Sequence, residues 1–139
     1  ALRRTRGGYG LDPPIHCGPA EGCPVRAWEI WTGPVFGPHP VLLVSAQALV
    51  SAQARIDRKQ ALVVLKGATM RPGQPFKVDA LQATLGQEDG LETQTRFDCD
   101  LLYTLEKKGL AQRRGEVASL ERRRDISRKI TQGLAIAGL

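Results

Sequence analysis

The chain has 139 residues, of which 42% are apolar and 24% charged, and its formal net charge is +6. This balance is typical of one small folded domain and excludes a wholly disordered chain. The longest apolar runs are a few residues, far short of the roughly 18–20 that a helix needs to cross a bilayer. With no charged-then-apolar leader at its start, we expect a cytoplasmic protein without a membrane span.

The positive charge is concentrated near the C-terminus. Between Lys107 and Lys129 nine basic residues stand against three acidic ones, a surplus equal to the whole net charge of +6. Such a segment attracts polyanions by releasing their counterions, which makes nucleic acid the leading partner class. A solvated helix face without a ligand is the alternative interpretation, and the pattern alone does not separate the two.

The first 26 residues differ from the rest of the chain. Nine of them are Gly or Pro, which predicts an irregular basic arm at 1–26 followed by one domain at 27–139. Cys17 and Cys23 lie in this arm, but the short-spaced pairs typical of zinc sites are absent. We therefore predict reduced structural thiols and no metal site.

From Ala27 onward, strand signals dominate. Short β-branched or aromatic runs separated by Gly-Pro turns predict five or six short strands. One helix follows, because Ser119 is a good N-cap and apolar residues then recur at helical spacing. The predicted strands are 27–32, 41–45, 61–65, 75–81, one or two within 95–105, and 114–117, with a short helix or loop at 46–59 and a loop at 67–75. This order predicts a mainly β fold, a small antiparallel barrel or half-barrel with helical additions.

Several short motifs follow one another in a recognisable order. They are E-I-W at 29–31, P-H-P-V-L-L-V-S at 38–45, P-F-K-V at 75–78, G-L-x-x-x-T at 90–95, C-D-L-L-Y-T-L at 99–105 and R-G-E-V at 114–117. Together they resemble the MazF/PemK (Kid) ribonuclease toxins, which read E-I-W, R-P-V-L-V-V-S, P-F-x-V, G-L-x-x-x-S, C-D-Q-I-R-T-V and R-x-G-x-L. The resemblance covers about residues 27–139.

The resemblance implies a fold and an activity. The fold is a small SH3-like antiparallel β-barrel closed by a C-terminal helix, and the members usually form homodimers. The activity is that of a toxin in a toxin–antitoxin system, which cleaves single-stranded RNA without a metal or other cofactor and has an antitoxin protein as partner. In this reaction the 2′-hydroxyl of the RNA attacks the adjacent phosphorus, which requires a base, an acid and a cation.

The positions that carry this chemistry in the family are altered here. The arginine of R-P-V is replaced by His39, and the family's Thr or Ser falls on or near Gly67 or Ala68, with Thr69 as the nearest hydroxyl. The catalytic candidates are therefore His39, which can move a proton, and Thr69, which can orient the phosphate or the 2′-hydroxyl. The alternative is a loop histidine at position 39 without a catalytic role.

The RNA-binding candidates combine one aromatic ring with several cations. Trp28 and Trp31 are candidates to stack on bases, and Trp31 is the one assigned to RNA, although for both a place in the core is the favoured interpretation. The cationic candidates are Lys66, Arg71, Arg113 and Arg114. Because the family's arginine is missing, a second hypothesis remains open: a catalytically degenerate module that binds RNA or protein, for example as a ribonucleoprotein subunit.

Overall fold

The structure, a computed structural model, describes residues 25–44, 61–71, 73 and 77–134. These residues form one six-stranded antiparallel sheet followed by one α-helix. The elements are β1 (Glu29–Pro34), β2 (Pro38–Leu43), β3 (Ala61–Thr69), β4 (Gln82–Leu85), β5 (Thr95–Glu106), β6 (Arg113–Glu116) and α1 (Leu120–Gly133). The predictions for 1–24, including Cys17 and Cys23, and for the helix or loop at 46–59 lie outside the described residues.

The sheet is curled into a half-barrel, which confirms the predicted fold class. Its strand order is β4-β5-β3-β2-β1-β6, so β5 and β1 are separated by two strands. Nevertheless, a Cβ added to Gly33 in β1 would lie only 2.9 Å from Cδ1 of Leu105 in β5. This approach is possible only because the sheet bends towards itself.

Strand β2 buries both of its faces, as its continuous apolar sequence predicts. Leu42 belongs to a cluster that also contains Ile126 of α1 and is called the helix-side cluster. Its neighbour Val41 belongs to a cluster on the opposite face that also contains Val35 of the β1–β2 turn and is called the hairpin-side cluster. The main members of the helix-side cluster are Trp28, Ile30, Leu42, Leu65, Leu85, Phe97, Cys99, Val117 and Ile126. The hairpin-side cluster consists of Val25, Trp31, Val35, Val41, Leu43, Leu62, Val64, Leu105 and Leu110.

Strand β5 contributes to both clusters because it is long and irregular. Leu65 of β3 pairs with Leu102, whereas Gly67 pairs with Phe97, so β5 has more residues than β3 across this break. Phe97 in the first half of β5 packs in the helix-side cluster, and Leu105 in the second half packs in the hairpin-side cluster. The sequence left one or two strands open here, and the structure has one, with a bulge.

Two predicted boundaries are wrong. The strand predicted at 75–81 is not formed by its described residues, because 77–80 are exposed and the next strand begins only at Gln82. The predicted loop at 67–75 instead begins with strand, since β3 continues to Thr69 and pairs there with Thr95. The local Gly and Pro residues predicted a loop here. In the structure Gly67 instead lies in a strand, because the ring of Phe97 occupies the space that a side chain on Gly67 would need.

Helix α1 starts where the sequence predicts it. The Ser119 side-chain oxygen accepts a hydrogen bond from the Arg122 backbone N–H at 3.2 Å. At its other end Gly133 packs on β5, where an added Cβ would lie 2.7 Å from Cβ of Asp100. Ile126 is buried in the helix-side cluster, so the helix covers one face of the sheet. No helix among the described residues is long and apolar enough to cross a membrane.

Candidate functional site

His39 lies near the start of β2, directly opposite Gly33 of β1. It is half-buried, and its Nδ1 lies 3.1 Å from the carbonyl oxygen of Gly37. A carbonyl oxygen only accepts, so Nδ1 carries the proton in this hydrogen bond, and a neutral imidazole then has its lone pair on Nε2. The turn thus fixes a ring whose second nitrogen is suited to accept a proton.

Lys66 shares a face of the sheet with His39. It is paired with Val41 across the β2–β3 ladder, and paired residues of antiparallel strands project to the same side. His39 is two residues from Val41 on β2, so strand alternation places it on that side as well. The structure therefore brings one histidine and one lysine from the sequence prediction onto a single face.

Two aromatic residues extend this face. Tyr103 of β5 pairs with Val64, which is two residues from Lys66 on β3. The rings of Tyr103 and Phe36 meet edge to face, with centroids 6.0 Å apart and planes at 87°. We call Phe36, His39, Lys66 and Tyr103 the hairpin face, because Phe36 lies in the turn between β1 and β2.

Sequence reasoning missed Phe36. Its backbone is in the left-handed region, with φ of 53°, and 81% of its surface is exposed. Gly37, which follows, also has a positive φ of 90°. The sequence signal is an aromatic residue beside glycine at the tip of a hairpin flanked by prolines, a pattern that does not by itself distinguish a base platform from an ordinary turn.

Thr69 is not on the hairpin face. Thr69 lies at the exposed end of β3, two residues from Gly67, which faces the helix-side cluster through Phe97. Alternation therefore directs Thr69 to the face opposite His39. Position 67 also has no room for the family's Thr or Ser, since a Cβ there would lie 2.7 Å from Cε2 of Phe97. Arg71, beyond the end of β3, is exposed.

The assignment of Trp31 to base stacking is wrong, and the alternative of a core position is confirmed. Trp31 has no exposed surface and packs in the hairpin-side cluster. Its indole N–H donates to Oε1 of Glu29 at 3.1 Å, which is how a buried tryptophan satisfies its donor. A ring enclosed in this way has no face to offer to a base.

Arg113 and Arg114 are engaged inside the protein. The Nε of Arg113 donates to Oε2 of Glu29 at 2.9 Å, and only 14% of the Arg113 side chain is exposed. Arg114 donates from Nη1 to the hydroxyl of Thr32 at 3.3 Å. The prediction that Arg113 binds RNA therefore conflicts with its burial, because its guanidinium balances a buried carboxylate.

Much of the basic segment also stabilises the fold. Arg122 forms ion pairs with Glu88 and with the buried Asp89, at the turn that follows β4. The Nε of Arg123 donates to the carbonyl oxygen of Val117 at 2.6 Å, and Nζ of Lys129 donates to that of Gln82 at 2.9 Å. These contacts attach α1 to the sheet, so the surplus charge is only partly free to bind polyanions.

Two buried titratable groups away from the hairpin face, Cys99 and Asp89, have shifted pKa values. Burial raises the pKa of the Cys99 thiol to about 11, so the thiol stays protonated and is a poor nucleophile. Burial also raises the pKa of Asp89, against the opposing effects of the Gly86 N–H and the Arg122 charge. Among the described residues, no three His, Cys, Asp or Glu side chains gather as a metal site would require.

Solved structures of known proteins share this fold. Similar chains include the Mycobacterium tuberculosis toxin MazF-mt6, with a TM-score of 0.60, 15% identity, and coverage of 76% of this chain and 94% of that chain. A mycobacterial endoribonuclease in complex with its cognate antitoxin gives 0.61 and 21%, covering 78% and 92%. The MazE–MazF structure from Deinococcus radiodurans gives 0.55 and 17%, covering 80% and 95%. No protein-family model and no curated protein sequence matches the chain.

These comparisons define the class of the fold. The described sheet and helix have the architecture of the MazF toxins, which confirms the resemblance seen in the sequence motifs. With no more than 21% identity to the three structures named above, the shared architecture alone does not assign the chemistry. The arrangement of side chains on the hairpin face must supply that argument.

Proposed function

We propose that this protein is a cytoplasmic MazF-type toxin, an endoribonuclease that cleaves single-stranded RNA without a metal ion. The observation that carries the proposal is the placement of His39 and Lys66 on one face of the β2–β3 pair. An imidazole held by Gly37 supplies proton transfer, and an ammonium on the same face of the sheet supplies the fixed positive charge that the missing arginine provides in the family.

The reaction uses groups of the RNA and of this face. Nε2 of His39 accepts the proton of the RNA 2′-hydroxyl, whose oxygen bonds to the adjacent phosphorus while the bond from phosphorus to the 5′-oxygen breaks. The 5′-oxygen takes up a proton from solvent, to which His39 afterwards returns the proton that it accepted, and the other product ends in a 2′,3′-cyclic phosphate. Lys66 stabilises the negative charge that develops on the phosphoryl oxygens. Arg71, exposed beyond the end of β3, is proposed to contact the RNA backbone, whereas Thr69, on the opposite face from His39, takes no part in this step.

The test is incubation of the purified protein with a long single-stranded RNA in EDTA, with analysis of the new 3′ ends. We expect the wild type to leave cyclic phosphates at the new ends. In His39→Ala we expect the cleavage rate to fall by at least about 100-fold, the lower end of the range for general acid–base catalysis. His16→Ala is the matched control, since the sequence contains two histidines. His39→Arg tests whether a permanent cation suffices at this position.

Each outcome decides between the hypotheses. Intact RNA at excess wild-type protein, with salt-sensitive binding retained, would reject the enzyme and favour the RNA-binding module. Equal cleavage by wild type and His39→Ala would reject His39 as the proton carrier. Loss of cleavage in His39→Ala, with unchanged cleavage in His16→Ala, would establish the proposed chemistry.

We also propose an antitoxin protein as partner and a homodimer as the active form. The support is that the mycobacterial endoribonuclease was solved with its cognate antitoxin and the Deinococcus toxin with MazE. Sedimentation of the pure protein tests whether it forms a homodimer. Loss of RNA cleavage on co-expression with a candidate antitoxin protein tests the partner.

A further inference from the structure

We propose that Phe36, braced by Tyr103, is a stacking subsite for one unpaired base of the RNA. The inference rests on the proposed function for its ligand class, since it takes single-stranded RNA as the molecule that reaches the hairpin face. It assigns base binding to a residue that the sequence analysis did not consider, in place of the buried Trp31.

The first argument is that Phe36 is placed at a cost to stability. An exposed phenyl ring stabilises the fold little, and 81% of the surface of Phe36 is exposed. Its φ of 53° is a left-handed conformation that a bulky residue adopts at a cost in free energy. Such costs concentrate at functional sites, where the strained residue contacts a ligand.

The second argument is that the ring is oriented and still accessible. The perpendicular contact with Tyr103, at 6.0 Å between centroids, fixes the tilt of the Phe36 ring. Tyr103 itself is held by β5, where it pairs with Val64 of β3. Because an edge-to-face contact covers little of the ring surface, the pair leaves a planar face of Phe36 open to a second ring.

The third argument is the charge beside the ring. Lys66 lies on the same face, and the Lys107–Gly109 turn approaches the hairpin, since a Cβ on Gly109 would lie 3.3 Å from Cγ of Pro34. Among the described residues, Lys108 in this turn is paired with the exposed Glu106, a contact that a phosphate can replace. An open ring on a face that also carries cations is the pattern of single-strand binding, in which bases stack and phosphates meet positive charge.

The experiment measures binding of a fluorescent single-stranded RNA whose 2′-hydroxyls are methylated, so that cleavage by 2′-hydroxyl attack is blocked. The variants are Phe36→Ala, Phe36→Trp and the control Leu120→Ala, which truncates another exposed apolar side chain on α1. We expect the Kd to rise about 5- to 150-fold in Phe36→Ala, the range measured for loss of one base stack. Phe36→Trp should restore wild-type affinity to within about threefold, and Leu120→Ala should leave it unchanged.

The outcomes separate this inference from the proposed function. If the wild type binds RNA without cleaving it, and Phe36→Ala weakens binding, the subsite stands while the enzyme proposal fails. If Phe36→Ala binds as the wild type does, or if the wild type binds no RNA, the subsite is overturned. A change of sedimentation state in Phe36→Ala at unchanged RNA affinity would assign the ring to a protein contact and also overturn it. Thermal melting confirms that each variant is folded.

Discussion

The Nε of Arg113 donates a hydrogen bond to Oε2 of Glu29 at 2.9 Å, and the side chains of the two residues are 14% and 3% exposed. The other carboxylate oxygen, Oε1, accepts from the indole of Trp31 at 3.1 Å and from the backbone N–H of Arg26 at 2.7 Å. One buried carboxylate thus links β1 and β6 and satisfies three donors. A side chain that the sequence assigns to RNA is, in the structure, part of the interior.

The Glu29–Arg113 pair leads to a stability prediction. We expect Glu29→Ala to lower the free energy of unfolding by about 3–5 kcal/mol, because it removes the close buried counterion of Arg113 and leaves only Glu116, at 3.6 Å and 40% exposed. Urea unfolding followed by circular dichroism measures the change. Glu106→Ala, which breaks the exposed pair with Lys108, is the control and should cost less than about 1 kcal/mol. Equal losses in the two variants would contradict the structural role of Glu29.

Gly115 gives a second prediction about the fold. A Cβ at this position would lie 2.0 Å from the backbone oxygen of Asp89, at the turn after β4 that closes against β6. Since backbone atoms must move to make room, we expect Gly115→Ala to destabilise the protein by about 3 kcal/mol. Gly86→Ala is the matched control, because its nearest neighbour would be Cγ of Gln94 at 3.6 Å, an ordinary contact. A melting temperature of Gly115→Ala equal to that of the control would show that this closure is loose.

The thiol of Cys99 provides a prediction about pH. Burial raises its pKa to about 11 from 9.0, so folding favours the protonated thiol, and this contribution is present below pH 9 and lost as pH rises towards 11. At pH 8 we expect iodoacetamide to label Cys99 in urea but not in the native protein, as measured by mass spectrometry of its peptide. Rapid native labelling at pH 8 would mean that the helix-side cluster opens readily.

Free and engaged arginines should differ in their effect on RNA binding. Arg71 is exposed beyond the end of β3, whereas the exposed Arg128 forms an ion pair with Asp125 on α1, on the far side of the sheet from His39. Because each lost phosphate contact lowers the salt slope of single-strand binding by about 0.7, we expect that decrease in Arg71→Ala. Binding titrations of the uncleavable RNA between 50 and 200 mM salt give the slopes, because over this range the affinity of a protein that makes several phosphate contacts falls by orders of magnitude. An equal decrease in Arg128→Ala would place RNA on the helix instead.

Local pattern determined the parts of the fold that depend on neighbouring residues. The both-sides-apolar run around Val41 predicted a central strand, and Ser119 predicted the start of α1, because alternation and capping involve residues within one turn or strand. The order of short motifs indicated the MazF architecture, because each motif is itself a run of neighbouring residues. His39 was found in this way, as a substitution within one motif.

The faces and partners of the side chains were decided by the tertiary structure. Trp31 and Phe36 are both aromatic residues near the β1–β2 turn, yet one has no exposed surface and the other has 81% exposed, because only the curl of the sheet sets what covers each ring. The separation of Thr69 from His39 depends in the same way on the register between β2 and β3. Arg113 is 84 residues from Glu29 in sequence, so no local pattern reveals their pairing. The sequence by itself determined most of the elements that form and the family that they resemble; contacts between distant strands decided which charges and rings remain exposed.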